Sequence, residues 1–414
     1  MPDITIRPFR GVRPKTQYAS KVAALPYDVM NTEEARHMVE DKHHSFLYVD
    51  KPEIDLPRGT DPYSPEVYAK AKENLHSLMD VMVQDVLPKL YIYRLTDRGG
   101  RGRAQTGLAA CVSVAEYDEG LIKKHEFTRP DKEQDRINHM LACEAHTGPI
   151  FMAYRSQDAR SPRLLMADLA KEQPDYDFIA DDGVRHELWV VYNTDAQNSL
   201  INAFWQLPCL YIADGHHRNA AASKVAQKRN ADSFDPEAEH NFYLAVIFPH
   251  DELEILDYNR VVADLNGMDI PGFLDSLKSD WLVEKSDTAV KPECKHTVGM
   301  YLCGQWYKIQ LKNPVDAADI IGNLDCSVLQ DKLLSPVLGI KDPKTDKRID
   351  FVGGIRGLNE LKRRVDSGEM KVAFALYPTS MDELMTVADA GQIMPPKSTW
   401  FEPKLLSGLL IHMF

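Results

Sequence analysis

The chain has 414 residues, of which 44% are hydrophobic and 27% charged, and a formal net charge of -13. That length exceeds what one hydrophobic core usually supports, so two or three domains are expected, and the ordinary composition excludes a disordered, collagen-like or coiled-coil chain. The acidic balance works against extended contact with nucleic acid, where phosphate neutralisation by Lys and Arg dominates, and leaves small anions held in local pockets.

In chain order, Ile4 to Asp28 is rich in Arg and Pro and reads as extended. The opening MPDITIRPFRGVRPK lacks a signal-peptide pattern and no apolar stretch reaches membrane-spanning length, so a cytoplasmic protein with no membrane partner is expected. Asn31-Thr32-Glu33-Glu34 has the capping-box spacing and predicts a short helix to about Asp41. Ser64-Pro65 opens a second, with Val67, Ala71, Leu75, Leu78 and Met82 at helical spacing. Leu90 to Leu95 and Leu108 to Val114 read as strands of a hairpin joined by DRGGRGRAQ. Thr128-Arg129-Pro130-Asp131 starts a helix carrying Arg136, Ile137, Met140, Leu141 and Glu144, ending near Thr147-Gly148-Pro149.

Strands follow at Phe151 to Tyr154, Glu187 to Tyr192 and Leu210 to Ala213, and a helix from about Asn219 to Lys228. Phe242 to Phe248 and Leu253 to Tyr258, separated by PHDE, read as a second hairpin. Beyond it lie strands at Val298 to Leu302, Trp306 to Leu311, Ile349 to Val352, Val372 to Tyr377 and Leu405 to His412. Helices at Ser327 to Leu338, Leu358 to Val365 and Asp382 to Ala390 alternate with them. This mixture of strands, hairpins and helices predicts an α+β fold. The expected domains are 1–265 and 266–414. Six scattered cysteines without a C-x-x-C pair read as small buried hydrophobes.

The densest chemistry sits at Asp214-Gly215-His216-His217-Arg218, between the apolar strand and the Ala-rich helix. Free backbone N–H groups and the helix dipole favour an anion at such a turn. Gly215 allows close backbone approach, Arg218 can grip phosphate oxygens, His216 and His217 add donors, and Asp214 adds a carboxylate. The bland alternative is a polar turn with Asp as a helix cap. Five such residues in succession favour function.

A second dense segment, Lys123-Lys124-His125-Glu126-Phe127-Thr128-Arg129-Pro130, continues through Arg136 and His139. Its cations suit an anion and Glu126 suits a base for a hydroxyl group, against the usual meaning of a solvated charged helix. His125, Arg129 and Arg136 are the phosphate-binding candidates here. His139, Glu144 and His146 match no helical ligand spacing, so no metal ligands are assigned. Phe351 to Arg356 is a weaker glycine turn, and Lys397, in the Pro-rich Met394 to Lys404 stretch, reaches a phosphate if that loop folds over the site. P-loop, kinase and Rossmann signatures are absent.

The D-G-H-H-R turn resembles the phosphate-binding motif of the ParB/sulfiredoxin superfamily, which includes DNA-partition proteins, sulfiredoxins and free serine kinases. The whole chain resembles a prokaryotic family without an assigned activity, through RPFRGVRP, ALPYDV, KKHEFTRPDKEQDR, YIADGHHRNAA, LDCSVLQDKLLSPVLGI and MPPKSTWFEPKLLSGL. Members of that family often lie beside serine-biosynthesis genes. The resemblance implies a ParB/sulfiredoxin-like core followed by a C-terminal α+β domain. It also implies phosphoryl transfer between ADP or ATP and free serine or phosphoserine, with Mg²⁺ as helper. Asp214, His216, His217 and Arg218 fall on the shared turn, and Glu126 is the candidate for the glutamate that serine kinases use upstream of it. Two departures narrow the choice. His216 stands where sulfiredoxins need Cys, and the acidic chain lacks the basic helical domain of ParB-type DNA binding. Catalytic roles are expected for Glu126, Asp214 and His216. The partners expected are a nucleotide and a small molecule, with a homodimer left open. The alternatives are a non-catalytic nucleotide-binding regulator and a phosphoserine phosphatase.

Overall fold

The computed structural model describes residues 4–97, 102–156 and 160–414. The tip of the first expected hairpin, residues 98–101, lies outside them. The chain divides into two compact units, Met1–Leu253 with Pro403–Phe414, and Glu254–Glu402. The class is α+β.

The first unit is built on a mixed sheet of nine strands among the described residues. Across it run Ile122–Lys123, Leu210–Asp214, Ile150–Tyr154, Phe242–Pro249, Ala104–Ser113, Leu90–Asp97, Val184–Val191 and Tyr176–Ile179, with Ile6–Arg7 also paired to Ala104–Ser113. Period-two alternation puts Leu90, Ile92, Leu108, Ala110, Met152, Ile212 and Ala245 on one buried face, packed with Leu200 and Phe204 from the helix Thr194–Trp205. A second core gathers Val22, Phe46, Leu47, Ala71, Leu75 and Ile411 around the helix Pro65–Leu78. Gly107 is required by packing, because a Cβ there would meet the Phe248 ring at 2.8 Å.

Strand direction decides where the site forms. Leu210–Asp214 runs parallel to Ile122–Lys123 and antiparallel to Ile150–Tyr154. The exits of the two parallel strands and the entry to the third therefore share one end of the sheet. The segments after Lys123 and Asp214, and the one before Ile150, meet there.

The second unit carries a six-stranded antiparallel sheet ordered Trp281–Ser286, Gln305–Leu311, Thr297–Leu302, Val372–Ala375, Tyr258–Val262, Ile349–Gly353.

Several expectations differ from what forms. Phe242–Pro249 and the next strand do not make a hairpin. The former lies in the central sheet between Ala104–Ser113 and Ile150–Tyr154, and Glu254–Leu256 pairs with Trp400–Glu402. The expected division at 265/266 falls instead between Leu253 and Glu254, because Tyr258–Val262 belongs to the second sheet. Pro403–Phe414 returns to the first unit through Ser407 with Ala24, Ile411 with Val12 and His412 with His146. The helix expected over Ser327 to Leu338 is α-helical only over Asp325–Leu329 and then widens through Gln330–Leu334. The capping box at Asn31 forms as expected.

Candidate functional site

The helix after the strand Leu210–Asp214 begins at His216, three residues earlier than the sequence suggests, and runs to Arg229. His216, His217 and Arg218 therefore form its first turn. Gly215 is the N-cap with φ 98° and ψ 27°, a left-handed conformation that glycine adopts without a Cβ penalty. No side chain among the described residues caps this end, so its first amides keep their partial positive charge for an anion.

Arg218 folds back over this turn. A Cβ built on Gly215 would lie 3.1 Å from Arg218 Nη2, and one on Gly148 would lie 3.2 Å from Nη1, so the guanidinium sits between two glycines. Nη1 donates to the Pro149 carbonyl, while Nε is buried without a hydrogen-bond partner among the described residues. Arg218 lines a small cleft with Tyr27, Asp50, Arg136, His139 and Thr147. Arg136 is also buried, hydrogen-bonded to Asp135 through Nε at 3.0 Å and Nη2 at 2.8 Å and stacked 3.9 Å above the Tyr27 ring. Two buried guanidiniums thus face one polar cleft, an arrangement suited to phosphate oxygens.

The two dense sequence segments come together. The His125 N–H donates to His216 Nε2 at 3.4 Å, and the Arg129 N–H donates to His217 Nε2 at 3.1 Å. His216 Nδ1 lies 3.7 Å from Glu126 Oε2. The His125 and His216 rings meet edge-on, 4.5 Å between centroids. Burial pushes the His125 pKa down to about 4 against the opposing pull of Asp214. Burial and then His125 hold His216 well below the ordinary imidazole range. Burial also lowers His217. These shifts all favour the neutral ring, so His125 faces the turn as a neutral imidazole rather than as the cation its charged neighbours suggest.

Asp214 carries an ion pair that the sequence did not disclose. Lys404 Nζ donates to Asp214 Oδ2 at 2.8 Å. Burial would raise the Asp214 pKa, but Lys404 and then Arg218 hold the carboxyl well below the usual carboxylate range. An acid held this firmly ionised is a poor proton acceptor, so Asp214 positions Lys404 and the turn. Glu126, whose side chain is 46% exposed, is the carboxylate beside the first helical turn that remains for proton transfer.

The other candidates fall as follows. Arg129 is 70% exposed in its side chain and pairs with Asp131 at 2.7 Å, so only its backbone reaches the turn. Lys397 belongs to the second unit, where its ammonium lies 5.6 Å from the Tyr258 ring centroid. Lys404, seven positions on, is the lysine at the turn. The Phe351 to Arg356 turn is no anion site, because a Cβ on Gly354 would meet the Asp257 carboxylate at 2.6 Å. His139 Nε2 donates to the Val49 carbonyl at 2.8 Å, Glu144 pairs with Arg229 and His146 stacks on His412, so these three do not converge. Mg²⁺ prefers a shell of oxygens and waters. A lysine-paired Asp214 and a glutamate flanked by two imidazoles do not supply that set.

Residues 6–327 match the family described as "Protein of unknown function (DUF1015)". The chain belongs to this family. Among solved structures it is similar to a conserved hypothetical protein from Pyrococcus furiosus, at 15% identity over 74% of this chain and 95% of that one, TM-score 0.36. A free serine kinase in complex with AMP is similar at 13% identity over 73% and 91%, TM-score 0.35. SbnI from Staphylococcus aureus, truncated at its C-terminus, is similar at 11% identity over 74% and 87%, TM-score 0.38. No curated protein matches the chain. Among the described residues no helix is long and apolar enough to cross a membrane.

Proposed function

We propose that this protein transfers a phosphoryl group between a nucleotide, ADP or ATP, and a small hydroxy amino acid, with free serine or phosphoserine as its substrate. The observation that carries the reading is the uncapped helix start at Gly215–His216 with the buried Arg218 guanidinium folded over it. The resemblance of the D-G-H-H-R turn to that of free serine kinases supplies the choice of serine.

In this reading the transferred phosphoryl group sits against the first-turn amides, and Arg218 with Arg136 offsets the negative charge that spreads over its oxygens. Electrostatic stabilisation and positioning of this kind dominate phosphoryl transfer. Glu126 takes the hydroxyl proton as the serine oxygen bonds to phosphorus and the bond from phosphorus to the departing nucleotide oxygen breaks. Neutral His216, 3.7 Å from Glu126, orients that carboxylate. Asp214 and Lys404 fix the floor of the turn. Mg²⁺ would come with the nucleotide and supply charge neutralisation at its phosphates. No nucleic acid and no membrane take part, and the compartment is the cytoplasm.

The test is phosphoserine formation from serine with ADP and with ATP, followed by phosphorus NMR at high enzyme concentration. Product with the wild type and none with Glu126→Gln supports the reading. Saturable nucleotide binding without product would favour a regulator, and phosphate released from phosphoserine without nucleotide would favour a phosphatase.

A further inference from the structure

Among the described residues one trio of potential ligands converges: single ligand atoms of His125, Glu126 and His216 all lie within 4.8 Å of one another. We propose that these three side chains bind one divalent transition-metal ion of the zinc class, with a coordination position left open to solvent.

Three observations carry this beyond simple proximity. Both ring nitrogens of His125 are buried and none of the hydrogen bonds among the described residues reaches them, the Ile212 backbone being the polar group beside the ring. Leaving a buried polar group unsatisfied costs about 1–3 kcal/mol, and a metal–nitrogen bond removes that cost. Both imidazoles are buried, and their rings meet edge-on with 4.5 Å between centroids. The ligands also stand on defined elements, His125 and Glu126 just past the strand Ile122–Lys123 and His216 in the first helical turn after Leu210–Asp214, with those two strands held side by side by their parallel pairing.

The donor set selects the metal. Two imidazoles with one carboxylate suit zinc and its neighbours, whereas Mg²⁺ requires oxygen. Ligand bonds near 2.0–2.2 Å place tetrahedral donors about 3.3 Å apart, so the 3.7 Å between His216 and Glu126 closes slightly on binding. Metal at His216 Nδ1 puts the ring proton on Nε2, and the long contact from the His125 amide opens to admit it. The partial exposure of Glu126 provides the entry path and the open position. When metal is bound, Glu126 is a ligand and no longer accepts a proton, so metal-loaded and metal-free protein differ at that carboxylate.

The experiment uses the full chain stripped with chelator, titrated with Zn²⁺ by calorimetry and with Co²⁺ by visible absorption. The expected result is one saturable equivalent and the ligand-field bands of four- or five-coordinate cobalt. Glu126→Gln and His125→Asn each weaken binding by at least about 100-fold. The glutamine variant changes one partly exposed atom, so its unchanged circular dichroism melt separates ligand loss from misfolding. Absence of a saturable equivalent in the wild type would overturn the proposal. So would wild-type affinity in both variants, or binding of Mg²⁺ without Zn²⁺. None of these readouts involves turnover, so failure of phosphoryl transfer and failure of metal binding are separately visible.

Discussion

Replacing Gly215 with Ala strikes the turn in two ways that can be separated. At φ 98° an L-residue pays about 1–2 kcal/mol in backbone strain. The added Cβ would also stand 3.1 Å from Arg218 Nη2 and 3.3 Å from its Nε and Cζ, tighter than ordinary contact, so the guanidinium must shift by a few tenths of an ångström. A hydrogen bond from a charged group contributes about 1.5–3 kcal/mol, and 1.4 kcal/mol is a tenfold change in affinity, so nucleotide binding should weaken by roughly 10- to 100-fold. Gly148 gives the control, because its φ is not left-handed but its Cβ would stand 3.2 Å from Arg218 Nη1 and 3.1 Å from Ser407 Oγ. Gly215→Ala should lower both the urea midpoint and ADP affinity measured by calorimetry. Gly148→Ala should lower affinity with the smaller stability loss. A Gly215→Ala protein with wild-type stability and affinity would refute the reasoning.

Lys404→Met leaves Asp214 without its main cation and should destabilise by about 2 kcal/mol, less than a fully buried pair because the Asp214 side chain is 31% exposed. Adding Asp214→Asn should recover most of that loss in the same denaturation assay. Because the folded-state pKa of Asp214 is depressed, its contribution is complete above the unfolded value near 3.9 and is lost as pH falls below it. His125 acts in the other direction of charge: its folded pKa is about 4 against an unfolded value near 6.5, so the unfolded chain binds the extra proton between them. Stability should therefore fall on acidification from pH 6.5 towards 4, by up to about 1.4 kcal/mol per unit for that one group, and His125→Phe should reduce the slope. Arg218→Lys keeps the charge but loses the planar fork, and should weaken nucleotide binding by about tenfold or more in titration. Asn31→Ala removes the side-chain half of a capping box, leaving the Glu34 side chain on the residue 31 amide, and should cost about 1 kcal/mol without changing ligand binding.

Local signals in the chain were readable where they were complete within a short window. The Pro65–Leu78 helix shows its buried stripe at helical spacing, the antiparallel pair Leu90–Asp97 and Ala104–Ser113 shows apolar runs joined by turn residues, and the helix Thr32–Met38 begins at the Asn31 capping box. The Asp214 to Arg218 turn was readable because four polar residues and a glycine stand between an apolar strand and an Ala-rich helix. Long-range partners carry no such signal. Lys404 meets Asp214 across 190 positions, and nothing around Lys404 distinguishes it from Lys397. The two-residue strand Ile122–Lys123 is too short to show a period, yet its parallel pairing brings His125 and Glu126 to the turn. His125 itself read as a cation because its neighbours are charged, whereas the fold buries it.

The central claim is that the helix start at Gly215–His216, with Arg218 over it, holds a phosphoryl group that moves between nucleotide and serine. It is tested most directly by following serine with ADP or ATP by phosphorus NMR, using wild-type and Arg218→Ala protein at equal, high concentration. Phosphoserine formed by the wild type and lost in Arg218→Ala, with the variant still folded, is the predicted result. Equal product from both proteins, or no product and no nucleotide binding from the wild type, would contradict it.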